Sequence, residues 1–130
     1  MSAPYSIAGT LTFPPDTGAA NLPIAFSGSG QFTSRPADIL NLTGTGTEPL
    51  NLGTVPAAGA KAVLIEVDPD TNPPSKTPII IKVNGSATGG IEVSPGGCVL
   101  IHNPSPVAGI TQLDAVYTSA NVVRYWILGD

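Results

Sequence analysis

The sequence predicts an all-β domain, an antiparallel β-sandwich of jelly-roll-like form that carries an extended N-terminal arm. Three observations carry that expectation: short blocks of Val, Ile, Leu and Thr, dense punctuation by Gly and Pro, and almost no apolar recurrence at helical spacing. With 130 residues the chain suits one domain large enough to bury a core unaided. Its fifteen glycines and fourteen prolines are about twice the usual share. Such a composition accompanies disorder only where apolar residues are too few to offset ordering entropy, and here 42 % of residues are hydrophobic.

Strands are expected over residues 5–12, 22–32, 38–44, 50–53, 61–68, 77–84, 90–94, 97–103, 110–118 and 121–128. Between them lie the turn signals Pro14-Pro15-Asp16, Pro69-Asp70, Pro73-Pro74, Asn84-Gly85 and Pro104-Ser105-Pro106. Side chains alternate across a strand, so Val63, Ile65 and Val67 share a face opposite Glu66 and Asp68. By the same rule Ile79, Ile81 and Val83 oppose Lys82 and Asn84, and Ile91 and Val93 oppose Glu92. Val123, Tyr125 and Ile127 oppose Arg124 and Trp126. One apolar and one mixed face per strand is the pattern of two packed antiparallel sheets. Ser94-Pro95-Gly96-Gly97 reads as a type II turn, with Pro supplying its fixed φ and Gly96 the positive φ that follows. Ser119-Ala120 is assigned to a final hairpin. Residues 1–15 form the arm or edge segment and residues 16–130 the single sandwich domain.

Charge excludes several functions. Only 11 % of residues are charged, against roughly 25 % in an ordinary soluble domain. The five basic residues, Arg35, Lys61, Lys76, Lys82 and Arg124, stand singly in a chain of net charge −4, which argues against nucleic acid as a partner. No run approaches the roughly 20 apolar residues of a membrane helix, and no secretory signal opens the chain. A single cysteine leaves no internal disulfide and fits synthesis in a reducing cytosol.

Catalytic and cofactor chemistry finds little to work with. Cys98 and His102 lie four residues apart on one strand, roughly 13 Å along it, too far for a thiolate–imidazole pair. They read as a buried structural Cys and a satisfied strand-end His. Two such residues cannot close a zinc site, and Gly28-Ser29-Gly30 lacks the Lys and following helix of a phosphate loop. Glu66, Asp68 and Asp70 cluster oxygens suited to calcium, but the sixth loop position is Pro73 rather than Gly and the twelfth is not Glu. The segment reads as a solvated strand end, so neither an enzyme nor a metal or other cofactor is expected. Interface chemistry is better represented. Trp126 and Arg124 share one strand face and belong to the residue types enriched at binding hot spots. Tyr5, Pro14 and Pro15 join them as candidates on the arm.

Two stretches of the C-terminal half carry a resemblance: Ile91-Glu92-Val93-Ser94-Pro95-Gly96-Gly97 with the strand to His102-Asn103-Pro104, and Val122-Val123-Arg124-Tyr125-Trp126-Ile127-Leu128-Gly129. A Pro-Gly-Gly turn before a strand, and a closing apolar strand ending in Leu-Gly, resemble small virion structural proteins of tailed bacteriophages. That resemblance implies a jelly-roll-like capsid decoration (cement) protein, or a tail, neck or fibre component. It further implies a homotrimer whose partner is the major capsid protein or another virion protein, located in the virion after synthesis in the host cytoplasm. A carbohydrate-binding β-sandwich module with Trp126 as its platform is the alternative from another class.

Overall fold

The computed structural model describes residues 2–13, 22–33, 35–53, 55, 59–103 and 109–130, and they are all-β, with ten strands and no α-helix. The strands are β1 (Ala3–Phe13), β2 (Leu22–Phe32), β3 (Ala37–Leu42), β4 (Gly46–Pro49), β5 (Ala60–Val67), β6 (Ile79–Val83), β7 (Ile91–Val93), β8 (Cys98–His102), β9 (Leu113–Tyr117) and β10 (Asn121–Gly129). Strands β1 and β2 form a separate antiparallel ribbon, while β3-β10-β5-β8 and β4-β9-β6-β7 make two four-stranded antiparallel sheets. The pairings β3·β10, β4·β9, β5·β8 and β6·β7 are nested like the rungs of one long hairpin. These nested pairs are distributed alternately between the two sheets of a sandwich-like arrangement.

The core lies between the sheets and is filled by the residues that alternation selects. Val63, Ile65, Val123, Tyr125 and Ile127 from one sheet, and Ile79, Ile81, Leu113 and Ala115 from the other, are each at most 1 % exposed and join one cluster. Truncating one of the buried isoleucines to Ala costs about 2–5 kcal/mol. The partly exposed ion pair between Arg124 and Asp68 is worth about 0–1 kcal/mol. Apolar packing therefore holds the sandwich, and a sparse set of charges suffices.

The structure corrects four local expectations. Residues 50–53 are not a strand; β4 precedes them, and Leu50 and Leu52 turn into the core. That inward loop is pinned where the Asn51 amide donates to the Tyr125 hydroxyl at 2.9 Å, and burial raises the Tyr125 pKa above its usual value of 10.0. Ser119-Ala120 does not close a hairpin, because β9 and β10 lie in different sheets and the turn carries the chain across. Ile91 starts an edge strand and is 37 % exposed, so only Val93 of that pair reaches the core. Cys98, expected to be buried, is exposed on the outer face of β8.

The turn at residues 94–97 also changes sheets, linking β7 to β8. Gly96 has φ +83°, and the Gly97 amide donates to the Ser94 carbonyl at 2.8 Å, closing the type II turn. The Gly96 amide then reaches the Val67 carbonyl at 3.0 Å, locking the crossing against β5. A β-branched residue is strained at this φ. Gly96→Val is therefore expected to destabilise the fold by about 1 kcal/mol or more, read as a lowered urea midpoint with an unchanged m-value; an unchanged midpoint would show that the crossing does not depend on the turn.

Candidate functional site: an apolar face beneath a β-ribbon

The outer face of the β3-β10-β5-β8 sheet is apolar where an ordinary sandwich would be polar. Register places Ala37, Trp126, Leu64 and Leu100 side by side across its four strands. The neighbouring rung carries Leu128, Ala62 and His102, and on the other side come Ile39, Arg124, Glu66 and Cys98. Each residue reaches this face because its strand neighbours are committed to the core, as Trp126 is between Tyr125 and Ile127.

The β1–β2 ribbon lies over this face. Its rungs alternate between two chemistries. Ala3↔Phe32, Tyr5↔Gly30, Ile7↔Gly28 and Gly9↔Phe26 share one side, while Ser6↔Ser29, Ala8↔Ser27 and Thr10↔Ala25 share the other. The first set pairs a large residue with a small one, so the ribbon is thin on the side that meets the sheet. A Cβ on Gly28 would stand 2.3 Å from the His102 ring, and this close approach excludes any side chain there. Below it the Tyr5 hydroxyl and His102 Nε2 share a hydrogen bond of 3.1 Å, their rings edge to face at 5.7 Å. Burial raises the Tyr5 pKa, with the Lys61 charge pulling the other way and Asp130 adding to the rise. Lys61 Nζ donates to the Gln31 carbonyl at 3.0 Å and pairs with Asp130, and the Thr33 amide donates to the Gly129 carbonyl at 3.0 Å. The base of the ribbon is thus fastened by polar contacts and its middle by apolar ones.

Between ribbon and sheet runs a cleft of about 370 Å³ lined chiefly by Ile7, Phe26, Leu64, Leu100, Trp126 and Leu128. The ribbon covers this surface incompletely: Phe26 is 42 %, Leu100 39 % and Trp126 43 % exposed. Trp126 also borders a second hollow of about 390 Å³ with Asp38, Ile39 and Arg124. Large exposed apolar side chains grouped this closely mark an interaction surface.

Of the residues expected at an interface, Arg124 and Trp126 project from this face two positions apart on β10, and Tyr5 meets it from the ribbon. Pro14 and Pro15 lie outside the described residues. The arm expected over residues 1–15 is represented by β1, paired to β2 along all eleven of its residues. Sequence reasoning missed Leu64, Leu100, Leu128 and His102. Their signal was present as consecutive apolar residues in β5, β8 and β10, which departs from strict alternation.

The oxygen cluster after β5 is engaged internally. Asp68 accepts from Arg124, and the Asp70 carboxylate accepts from the Asn72 amide at 3.1 Å, the Ser75 hydroxyl at 2.6 Å and the Lys76 amide at 3.0 Å. Among the described residues no group of three His, Cys, Asp or Glu is placed to hold a metal ion. No helix among them is long and apolar enough to cross a membrane. No family model, curated protein or solved structure matches the chain.

Two outcomes follow from these contacts. Gly28→Val is expected to lift the ribbon off His102 while leaving the sandwich core intact. Proteolysis within residues 3–32 should then accelerate while the sandwich strands beyond residue 35 stay resistant, and an unaltered cleavage rate would show that the ribbon is not seated there. The Asp70 carboxyl is held below its ordinary value of 3.8, chiefly by the Ser75 hydroxyl; desolvation comes next and opposes it, and the amides of Asn72, Lys76 and Ser75 add to the drop. A depressed folded-state pKa adds stability that is complete above the unfolded value and lost as pH falls through the folded one. The Lys76 amide resonance should therefore titrate with an apparent pKa under 3.8; titration at or above that value would show the carboxylate free of its loop.

Proposed function

We propose that the chain is a structural protein of a virion of the tailed-phage kind, acting as a capsid decoration (cement) subunit that clamps neighbouring major capsid subunits. The observation that carries this reading is the exposed apolar surface of Trp126, Leu100 and Phe26 set between a projecting ribbon and a rigid sandwich. Attachment needs such a surface, and turnover of a substrate does not. Sparse charge agrees with it, because burying neutral Thr, Ser and Ala against a shell avoids the desolvation cost that ionic groups carry. A subunit used in many copies, each a homotrimer, gains total affinity by multivalency rather than from one deep site. The resemblance in the turn at residues 94–97 and in the closing strand supplies the virion context.

A second reading has an observation of its own. The hollow beside Trp126 combines an aromatic face with Asp38 and Arg124, a combination that suits a sugar ring. A glycan array comparing the protein with Trp126→Ala separates the two, because cement function predicts no glycan signal in either.

The decisive experiment is particle fractionation. Cement function predicts the protein on the shell at a copy number comparable to the major capsid protein. Particles depleted of it should assemble but release genome at lower temperature or under osmotic shock. A low copy number confined to tail fractions would move the assignment to a tail, neck or fibre component, and depleted shells of unchanged robustness would defeat the cement reading.

A further inference from the structure

The far end of the ribbon runs past the surface that seats its base. Along β1 the sheet-facing positions Ala3, Tyr5, Ile7 and Gly9 are each half-buried, and the intervening residues are exposed. Leu11 continues the same parity and is 57 % exposed. On β2, Phe32, Gly30 and Gly28 are half-buried and Phe26, next in that series, is 42 % exposed. Each ribbon strand has eleven residues, about 37 Å, whereas β10, the longest strand of the sheet it covers, has nine, about 30 Å.

We propose that the distal ribbon end of one copy, centred on Leu11, docks on the Trp126–Leu100–Ile39 surface of a second copy of this chain. This rests on reading the chain as an assembly protein, and names the contact that joins its copies. The occupant is argued from three features. The chain's own ribbon already covers part of this surface, so ribbon and sheet face are chemically matched. The uncovered remainder, with Trp126 43 %, Leu100 39 % and Ile39 52 % exposed, continues the seated area outward. The distal end supplies Leu11, an apolar residue of the same kind that the described residues leave 57 % exposed. A contact between two different patches can be met reciprocally in a two-fold dimer, or head to tail in a ring of which the trimer is the smallest.

Trp126 is the sole tryptophan, so it reports the contact without modification of the protein. Sedimentation and tryptophan fluorescence are to be followed together across a dilution series of the full chain. The expected result is self-association, with blue-shifted emission and reduced acrylamide quenching of Trp126 as mass increases. Leu11→Asp, at a position exposed in the single chain, should keep the far-UV spectrum and weaken association about tenfold or more. A monomer at every concentration overturns the proposal, as does association that leaves Trp126 equally quenchable or is indifferent to Leu11→Asp. A monomer that still sediments with particles removes this contact and leaves the virion role standing. An oligomer with shielded Trp126 that never joins particles does the reverse.

Discussion

A sheet with large apolar side chains on both of its faces cannot be completed by a single partner sheet. In the β3-β10-β5-β8 sheet, Val63, Ile65, Tyr125 and Ile127 commit the inner face to the core, and Leu64, Leu100, Trp126 and Leu128 leave an apolar outer face behind it. Period-two geometry forbids relief by rotation, because turning a strand to bury one set exposes the other. A third layer is the remaining solution. The β1–β2 ribbon is that layer, and a two-stranded ribbon with no surface to lie on is marginal in water. Sheet and ribbon therefore each need the other, and the polar fastening at Tyr5–His102 and Lys61–Gln31 sets where along the face they meet.

The dependence also explains why the sandwich tolerates so little charge. Solubility of a small domain ordinarily rests on charged outer faces. Here one outer face is given to the ribbon, whose own outward side carries Ser6, Ser27, Ser29 and Thr10 in place of ions. Some of the charges that remain are used locally: Lys61 with Asp130 at the ribbon base, Arg124 with Asp68 beside the exposed face, and Asp70 within its loop. Neutral polar surface is inexpensive to bury in a contact, whereas solvated ions resist it.

Much of the core was legible in the sequence, because the alternate positions Val63, Ile65 and Val67, Ile79 and Ile81, and Val123, Tyr125 and Ile127 are the buried ones, and the positive φ of Gly96 follows from Pro95 before it. What could not be read is which sheet each strand joins. Turns such as Ser119-Ala120 look the same locally whether they close a hairpin or cross between sheets, since that choice is made by long-range pairing. Cys98 was misplaced for a related reason: in an edge strand such as β8 the apolar pattern Val99, Leu100, Ile101 hides which parity faces inward. The site was half visible. Trp126 and Arg124 stood out by type, but Leu64, Leu100 and Leu128 gain meaning only when register sets them on one face.

The glycines of the ribbon show how the third layer differs from an ordinary pleated neighbour. A glycine inside a strand costs roughly 0.5–1 kcal/mol relative to alanine, so Gly9 on β1 with Gly28 and Gly30 on β2 weaken the ribbon as an isolated element. Gly30 accommodates Tyr5, Gly28 accommodates His102 and Gly9 accommodates Phe26. Each loss of strand propensity is thus exchanged for the close approach of a ring where a Cβ would stand, offsetting the local cost with ring contact. Such an element is weak alone and firm only against a matching apolar face. Its stability is conditional on docking, and that is the physical property by which a ribbon can act as an attachment device instead of a further strand of the core.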